Sequence, residues 1–301
     1  MRIAVTGRNG QVARSLLERA PAAGHEVVAL GRPELDLAGD RDTIVRAIEA
    51  ASPDVVVSAA AYTAVDRAES EPELAFAVNE RGAAAVARAA RLLDVPLIHL
   101  STDYVFDGAK EAPYVEEDAT GPTGVYGASK LAGEAAVQAE QANSAILRTA
   151  WIYSPFGANF IKTMLRLALD RDDVSVVADQ RGNPTSALDI ADGVLAVARN
   201  LLRDDDPALR GTFHMTADGE ASWAEFAEAI FASAARRGGP TVTVKRIATA
   251  DYPTAARRPA NSRLDCGKLA RAHGVRLPGW RSSTDSVVER LLDEQVSGGA
   301  R

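Results

Sequence analysis

The sequence predicts an α/β chain: a doubly wound parallel sheet over residues 1–153, followed by a smaller C-terminal lobe over 154–301. Two patterns carry that expectation. Short β-branched runs alternate with Ala-rich helical stretches through the first half, as expected for a parallel sheet covered by helices on both faces. A glycine-rich string, "TGRNGQVA" (6–13), falls between the first of these runs and the first helix.

The elements follow in order. "RIAVTG" (2–7) is the first strand and "GQVARSLLERA" (10–20) the helix behind it. "HEVVALG" (25–31) is a strand, "TIVRAIEAA" (43–51) a helix, and "DVVVSAAA" (54–61) a continuous apolar run suited to a strand buried on both faces. Pro72 fits the first turn of a long helix over 72–94, and "PLIHLSTD" (96–103) is the next strand. A loop rich in Gly, Pro and acids (107–124) leads to the helix "YGASKLAGEAAVQAEQ" (126–141) and the strand "SAILRTAWIY" (144–153). About six βα steps in this first half make the Rossmann-type rhythm of a dinucleotide-binding domain.

Beyond residue 153 the rhythm loosens. Helices are expected over 159–170, 187–202, 222–237 (opened by a Ser222 cap) and 285–296, and strands over 173–179 and 211–216. This half is expected to be mainly a substrate-binding lobe, with segments near 168–184 and 222–240 returning to the first domain. The tail "SGGAR" (297–301) is expected to be disordered.

Composition narrows the function. Hydrophobic residues make up 47% and charged residues 25%, which is ordinary for a folded globular chain. A net charge of −7 leaves no broad cationic face for a phosphate backbone or an anionic membrane, so neither nucleic acid nor a membrane is an expected partner. The chain enters a strand without a charged and apolar leader, so a cytoplasmic protein is expected, either a monomer or a homodimer. A single cysteine, Cys266, and four scattered histidines offer no metal-ligand spacing, and no metal is expected.

At the nucleotide end, Gly7 permits the tight turn, Gly10 lets the backbone approach a pyrophosphate, and Ala13 is small enough for helix against sheet. Asn9, Gln11 and Val12 complete the turn, and the helix start offers unpaired N–H groups to the anion. The strand over 25–31 ends without an acid where a ribose 2′-hydroxyl normally meets a carboxylate. Arg32 stands there instead and suits a 2′-phosphate, so NADPH is the expected cofactor, with NADH as the alternative. Asp36 and Leu37 border the adenine, while Ala59, Ala60, Ala61 and Tyr62 give the cofactor a flat backbone to lie on.

At the chemical end, "STDYVF" (101–106) lies at the C-terminal edge of a strand, where ligands of open α/β sheets bind. Tyr126 and Lys130 stand four residues apart, hence on one face of the next helix. Ketone reduction needs a hydride at carbon and a proton at oxygen; a nicotinamide carries the first and the protein supplies the second. A phenol titrates near ~10, too high for easy exchange, and a neighbouring lysine together with a cationic nicotinamide is expected to lower that value. Thr102 is placed to donate a hydrogen bond to the carbonyl oxygen as it gains charge.

The glycine-rich turn, the hydroxyl-bearing strand end and the YxxxK pair together resemble the extended short-chain dehydrogenases/reductases. The strings "AAAYTAVDRAE" (59–69), "STDYVFDG" (101–108), "YGASKLAGE" (126–134), "RTAWIY" (148–153), "DQRGNPT" (179–185) and "RRPANSRLDC" (257–266) are similar, in that order, to the dTDP-4-dehydrorhamnose reductases. The resemblance implies reduction of dTDP-4-dehydro-L-rhamnose at C4 by a nicotinamide cofactor. It implies Tyr126 as proton donor, Lys130 on the nicotinamide ribose and lowering the phenol pKa, and Thr102 on the substrate oxygen. Asn79 matches a helix asparagine that supports the lysine; Thr63, Val65, Tyr104 and Trp151 match the sugar pocket, and Arg258 is a candidate for the diphosphate. Nucleotide-sugar dehydratases resemble the chain too, but place an acid pair after the threonine, where this chain has Asp103 and Tyr104. Epimerases share YxxxK and stay open, as does a non-catalytic NADP-binding subunit resembling the beta subunit of methionine adenosyltransferase.

Overall fold

A computed structural model of the chain describes residues 1–298. Five parallel strands come from the first half: β1 (Arg2–Thr6), β2 (Glu26–Leu30), β3 (Val55–Ser58), β4 (Leu97–Thr102) and β5 (Ser144–Thr149). They pair in the order β5-β4-β3-β1-β2, and the strand Gly211–His214 adds itself outside β5 to complete six. The sixth step therefore comes from the second half of the chain and not from the first 153 residues. Apolar residues fill both sheet faces. Helices Gln11–Arg19 and Ala187–Arg203 bury Leu16, Ile190 and Val194 on one side, while Arg41–Ala50 and Ala83–Leu92 bury Ile44, Ile48 and Val86 on the other. β3 is fully buried along its length, as its unbroken apolar run requires.

The second half departs from expectation in which segments return to the sheet. Ala187–Arg203 and Gly211–His214 return. The stretches near 168–184 and 222–240 instead form the second lobe: strand Asp173–Val177 pairs in parallel with Thr243–Ile247, and helix Trp223–Ala235 packs over them. The physical reason is that their apolar side chains bury against one another and not against the sheet. Phe226, Phe231, Trp280 and Leu291 build an aromatic-rich core separate from the Ala- and Val-rich sheet faces. Ser222 and Glu225 close a reciprocal capping box at the start of that helix. The last helix runs Trp280–Gly298, so Ser297 and Gly298 continue it, and residues 299–301 of the expected disordered tail lie outside the described residues. Among the described residues no helix is long and apolar enough to cross a membrane.

The long helix expected over 72–94 is real but interrupted. Residues Ala77–Gly82 are wound as a π-helix between Pro72–Phe76 and Ala83–Leu92. That widened turn carries Asn79 toward the helix Val125–Glu140.

Candidate active site

β1 has β2 on one side and β3 on the other, so the chain leaves the C-terminal ends of β1 and β3 in opposite directions along the sheet, which opens the crevice where such folds bind ligands. Gly7 sits there at φ +93°, a conformation that favours glycine, and a Cβ at this position would meet Ala60 at 3.2 Å. The N-cap of helix Gln11–Arg19 is Gly10, which supplies no side-chain cap, and the first turn carries no acid. Free amides and an unopposed positive helix end suit a pyrophosphate, so the turn fits a dinucleotide. Thr6 Oγ1 accepts the amides of Ala59 and Ala60 at 3.1 and 3.0 Å, fixing the backbone at the end of β3 beside that turn.

The structure sorts the expected nucleotide residues. Val12 is buried in the core, so only its backbone remains for a ligand, and Leu37 is likewise a core side chain. Gln11 Oε1 accepts Ser154 Oγ at 2.7 Å and Asn159 Nδ2 at 3.2 Å, tying the turn to the second half of the chain. Asn9 and Arg32 are exposed at the turn and at the tip of β2, and Ala61 is half-buried after β3. Asp36 accepts the Ala38 amide at 3.0 Å, closing its own loop. Tyr62 does not lie bare: its hydroxyl donates to Glu71 at 2.5 Å, which pushes its pKa up. Arg8, which the sequence reading passed over, lies across Gly31 at the β2 tip and pairs with Glu34 at 2.9 Å.

The chemical end is far drier. Thr102 and Asp103 are 5% and 2% exposed at the end of β4, and Lys130 is 2% exposed. The helix Val125–Glu140 presses onto this edge through Gly127, where a Cβ would overlap the carbonyl oxygen of Tyr104. Its first turn has no cap of its own, and Glu69 accepts the Val125 amide at 2.9 Å from outside. Tyr126 is half-buried, its ring edge-on to Tyr104 at 5.6 Å, and the Thr102 hydroxyl faces its phenol.

Two expectations about this end need correction. Lys130 does not reach toward the phenol: Nζ donates to the Leu100 carbonyl at 2.7 Å and lies 3.3 Å from His99 Nε2. The phenol is accordingly not acidified, because burial pushes Tyr126 up to about 12, with the Asp103 charge adding to that rise and Thr102 opposing it. Burial pulls Lys130 down to about 8, with Glu134 opposing, and holds His99 well below the ordinary imidazole range. Asn79 supports the helix rather than the lysine itself. Its Nδ2 donates to Ser129 Oγ at 2.9 Å and to the Tyr62 carbonyl, while its Oδ1 accepts the Tyr62 amide at 2.8 Å.

Thr63 is exposed and Val65 half-buried at the start of the short helix Val65–Ala68. Trp151 adopts φ +47°, rare for a bulky residue, and stacks on Trp223 with centroids 3.6 Å apart. Trp223 was not foreseen, since a tryptophan in a helix reads equally as core. Arg258 is engaged by Asp66 at 2.7 Å and is not free in this structure. Below the site Arg148 and Glu134 form a buried bidentate pair at 2.9 and 2.7 Å, joined by Ser101.

A glycine-turn dinucleotide crevice flanked by threonine, tyrosine and lysine defines a short-chain dehydrogenase/reductase of the extended type. Residues 1–293 match the family described as RmlD substrate binding domain. A relative from Sinorhizobium fredii named dTDP-4-dehydrorhamnose reductase is 55% identical over 294 residues, covering 98% of this chain and 99% of its own. One of the same name from Escherichia coli K12 is 41% identical, covering 98% of each chain. The crystal structure of dTDP-4-dehydrorhamnose reductase from Bacillus anthracis, in complex with NADP, is 34% identical, with a TM-score of 0.87 and coverage of 97% and 99%. The chain belongs to the dTDP-4-dehydrorhamnose reductase family.

Proposed function

We infer that this protein reduces the C4 ketone of dTDP-4-dehydro-L-rhamnose to give dTDP-L-rhamnose. The observation that carries the reading is that Thr102, Tyr126 and Lys130 meet at the end of β4, on the same C-terminal sheet edge as the Gly7–Gly10 turn after β1, in a chain of this family. NADPH, or NADH in its place, supplies the hydride when bound. Gly7, Gly10 and the amides opening helix Gln11–Arg19 would hold its pyrophosphate, Arg8 and Arg32 its 2′ side, and the backbone of 59–62 would border it. Lys130, whose Nζ now donates to the Leu100 carbonyl, would hold the nicotinamide ribose.

Tyr126 donates the proton to the substrate oxygen. A phenol held near 12 keeps its proton at neutral pH and releases it only to a strongly basic developing alkoxide. Thr102 hydrogen-bonds the same oxygen and favours the charge it gains. Tyr104, Thr63, Val65 and Trp151 border the sugar, and Arg258 binds the diphosphate by exchanging Asp66 for it. We place the protein in the cytoplasm as a monomer or homodimer. The test is to mix purified protein, NADPH and the 4-keto sugar nucleotide, follow the absorbance of the reduced cofactor and identify the product. Consumption with formation of the 4-hydroxy sugar is expected; a folded protein that binds the cofactor and consumes none overturns the reading.

A further inference from the structure

Among the described residues three other than glycine take a positive φ, Ser52, Asp94 and Trp151, and only the tryptophan is bulky. Backbone strain of this kind persists where the surroundings fix it, and it gathers at sites of function. Trp151 is clamped from three directions. Its ring stacks on Trp223 with centroids 3.6 Å and planes 9° apart. Its indole edge lies over Gly182, where a Cβ would come within 2.5 Å of Cε2 and 2.7 Å of Nε1. Its carbonyl accepts the Thr185 amide at 3.1 Å.

The clamp is one built unit. Ala221–Ser222 pairs antiparallel with Arg181–Gly182, Ala221 opposite Gly182, so the ladder that meets the indole edge also delivers Trp223, the residue after Ser222. The Ser222–Glu225 capping box fixes the first turn of the Trp223 helix, and Phe160 packs on the Trp223 ring at 4.8 Å. Trp151 is only part-buried, and among the described residues no other ring lies on it. β5 ends at Thr149, opposite Thr102 in the ladder, so Trp151 stands two residues beyond the reacting edge. A flat aromatic face there suits the carbon-bound hydrogens of a sugar ring, whose slight positive charge meets the negative face of the indole. Resting on the functional reading above, we propose that Trp223 is a positioning residue for the sugar: it holds Trp151 flat in its strained conformation, so that the other indole face packs against the deoxyhexose ring beside Thr102 and Tyr126. Trp223 acts through Trp151, and its effect falls on the sugar and not on the nucleotide.

Calorimetric titration of the full chain with dTDP-L-rhamnose, and separately with dTDP alone, divides sugar contacts from nucleotide contacts. Trp223→Leu removes the flat partner and should weaken dTDP-L-rhamnose by about three- to tenfold, the worth of one aromatic pair, while dTDP stays within about twofold of wild type. Trp223→Phe keeps a flat ring and should recover most of the loss. Gly182→Ala keeps both tryptophans, and no positive φ holds the position to glycine; its methyl group pushes the Trp151 edge away. It should likewise weaken dTDP-L-rhamnose and spare dTDP, and it decides the matter should the leucine variant fail to fold. A spectroscopic readout needs no ligand. Two indoles stacked at 3.6 Å couple their transitions, so wild type should show a paired band of opposite signs in far-ultraviolet circular dichroism that is lost in Trp223→Leu and diminished in Gly182→Ala. Losses equal for dTDP and dTDP-L-rhamnose, or undiminished dTDP-L-rhamnose binding once the paired band is gone, overturn the proposal alone. A folded wild type that binds neither ligand sinks the functional reading, and the proposal with it.

Discussion

The two ends of the crevice are built on opposite principles. At the chemical end Thr102, Asp103, Lys130, Glu134 and Arg148 are all nearly excluded from water, and burial pushes Asp103 up and pulls Lys130 down. At the nucleotide end Arg8, Glu34 and Arg32 stand in solvent, and the Arg8–Glu34 pair has side chains 43% and 58% exposed. Exposed pairs of this kind contribute little, whereas breaking a buried pair strands a charge. The same kind of substitution should therefore act very differently at the two ends.

The largest effect is expected at Tyr126. Tyr126→Phe should lower turnover by roughly 10²–10⁴-fold, the usual worth of a positioned acid, as checked by single-turnover absorbance of the reduced cofactor. Next comes Glu134→Ala, which leaves Arg148 buried without its carboxylate and should cost about 3–5 kcal/mol in a denaturant titration. A loss near zero there would erase the contrast between the two ends. A smaller effect attaches to Lys130, whose folded pKa is lowered from 10.5 to about 8. In that window the unfolded chain holds the extra proton, so stability should rise with pH relative to Lys130→Met, a gain that equilibrium unfolding at several pH values would measure. The smallest belongs to the β2 tip. Arg32→Glu should weaken NADPH more than NADH by a few-fold, about 1 kcal/mol or less given solvent screening, and Arg8→Ala should act in the same direction; calorimetric titration separates the two cofactors. Equal losses for both cofactors would show that neither arginine reads the 2′ position.

The same contrast explains what could be read from the amino-acid string. The strand runs, the glycine turn and the YxxxK pair were legible because each is a local spacing with a local cause: Gly7 at positive φ, Tyr126 and Lys130 one turn apart. What escaped depends on contacts between distant segments. The rise of the phenol pKa comes from packing of helix Val125–Glu140 on the end of β4, and the diversion of Lys130 from His99 and Leu100 on that same strand. Asp103 was visible beside Thr102, but its burial at the end of β4 was not. Trp223 lies 72 residues beyond the Trp151 it stacks on, and no pattern in either segment announces the pair. The return of Gly211–His214 to the sheet, in place of the stretch near 168–184, was likewise hidden: both are short apolar runs, and only pairing with β5 separates them.

The most direct test of the division between the two ends is to measure turnover and NADPH affinity together for Tyr126→Phe, using the 4-keto sugar nucleotide as substrate. The account predicts that turnover collapses while the cofactor Kd stays within about twofold of wild type, because the hydroxyl acts on the reacting oxygen and not on the dinucleotide. Near-normal turnover, or a loss of rate matched by an equal loss of cofactor affinity, would contradict it.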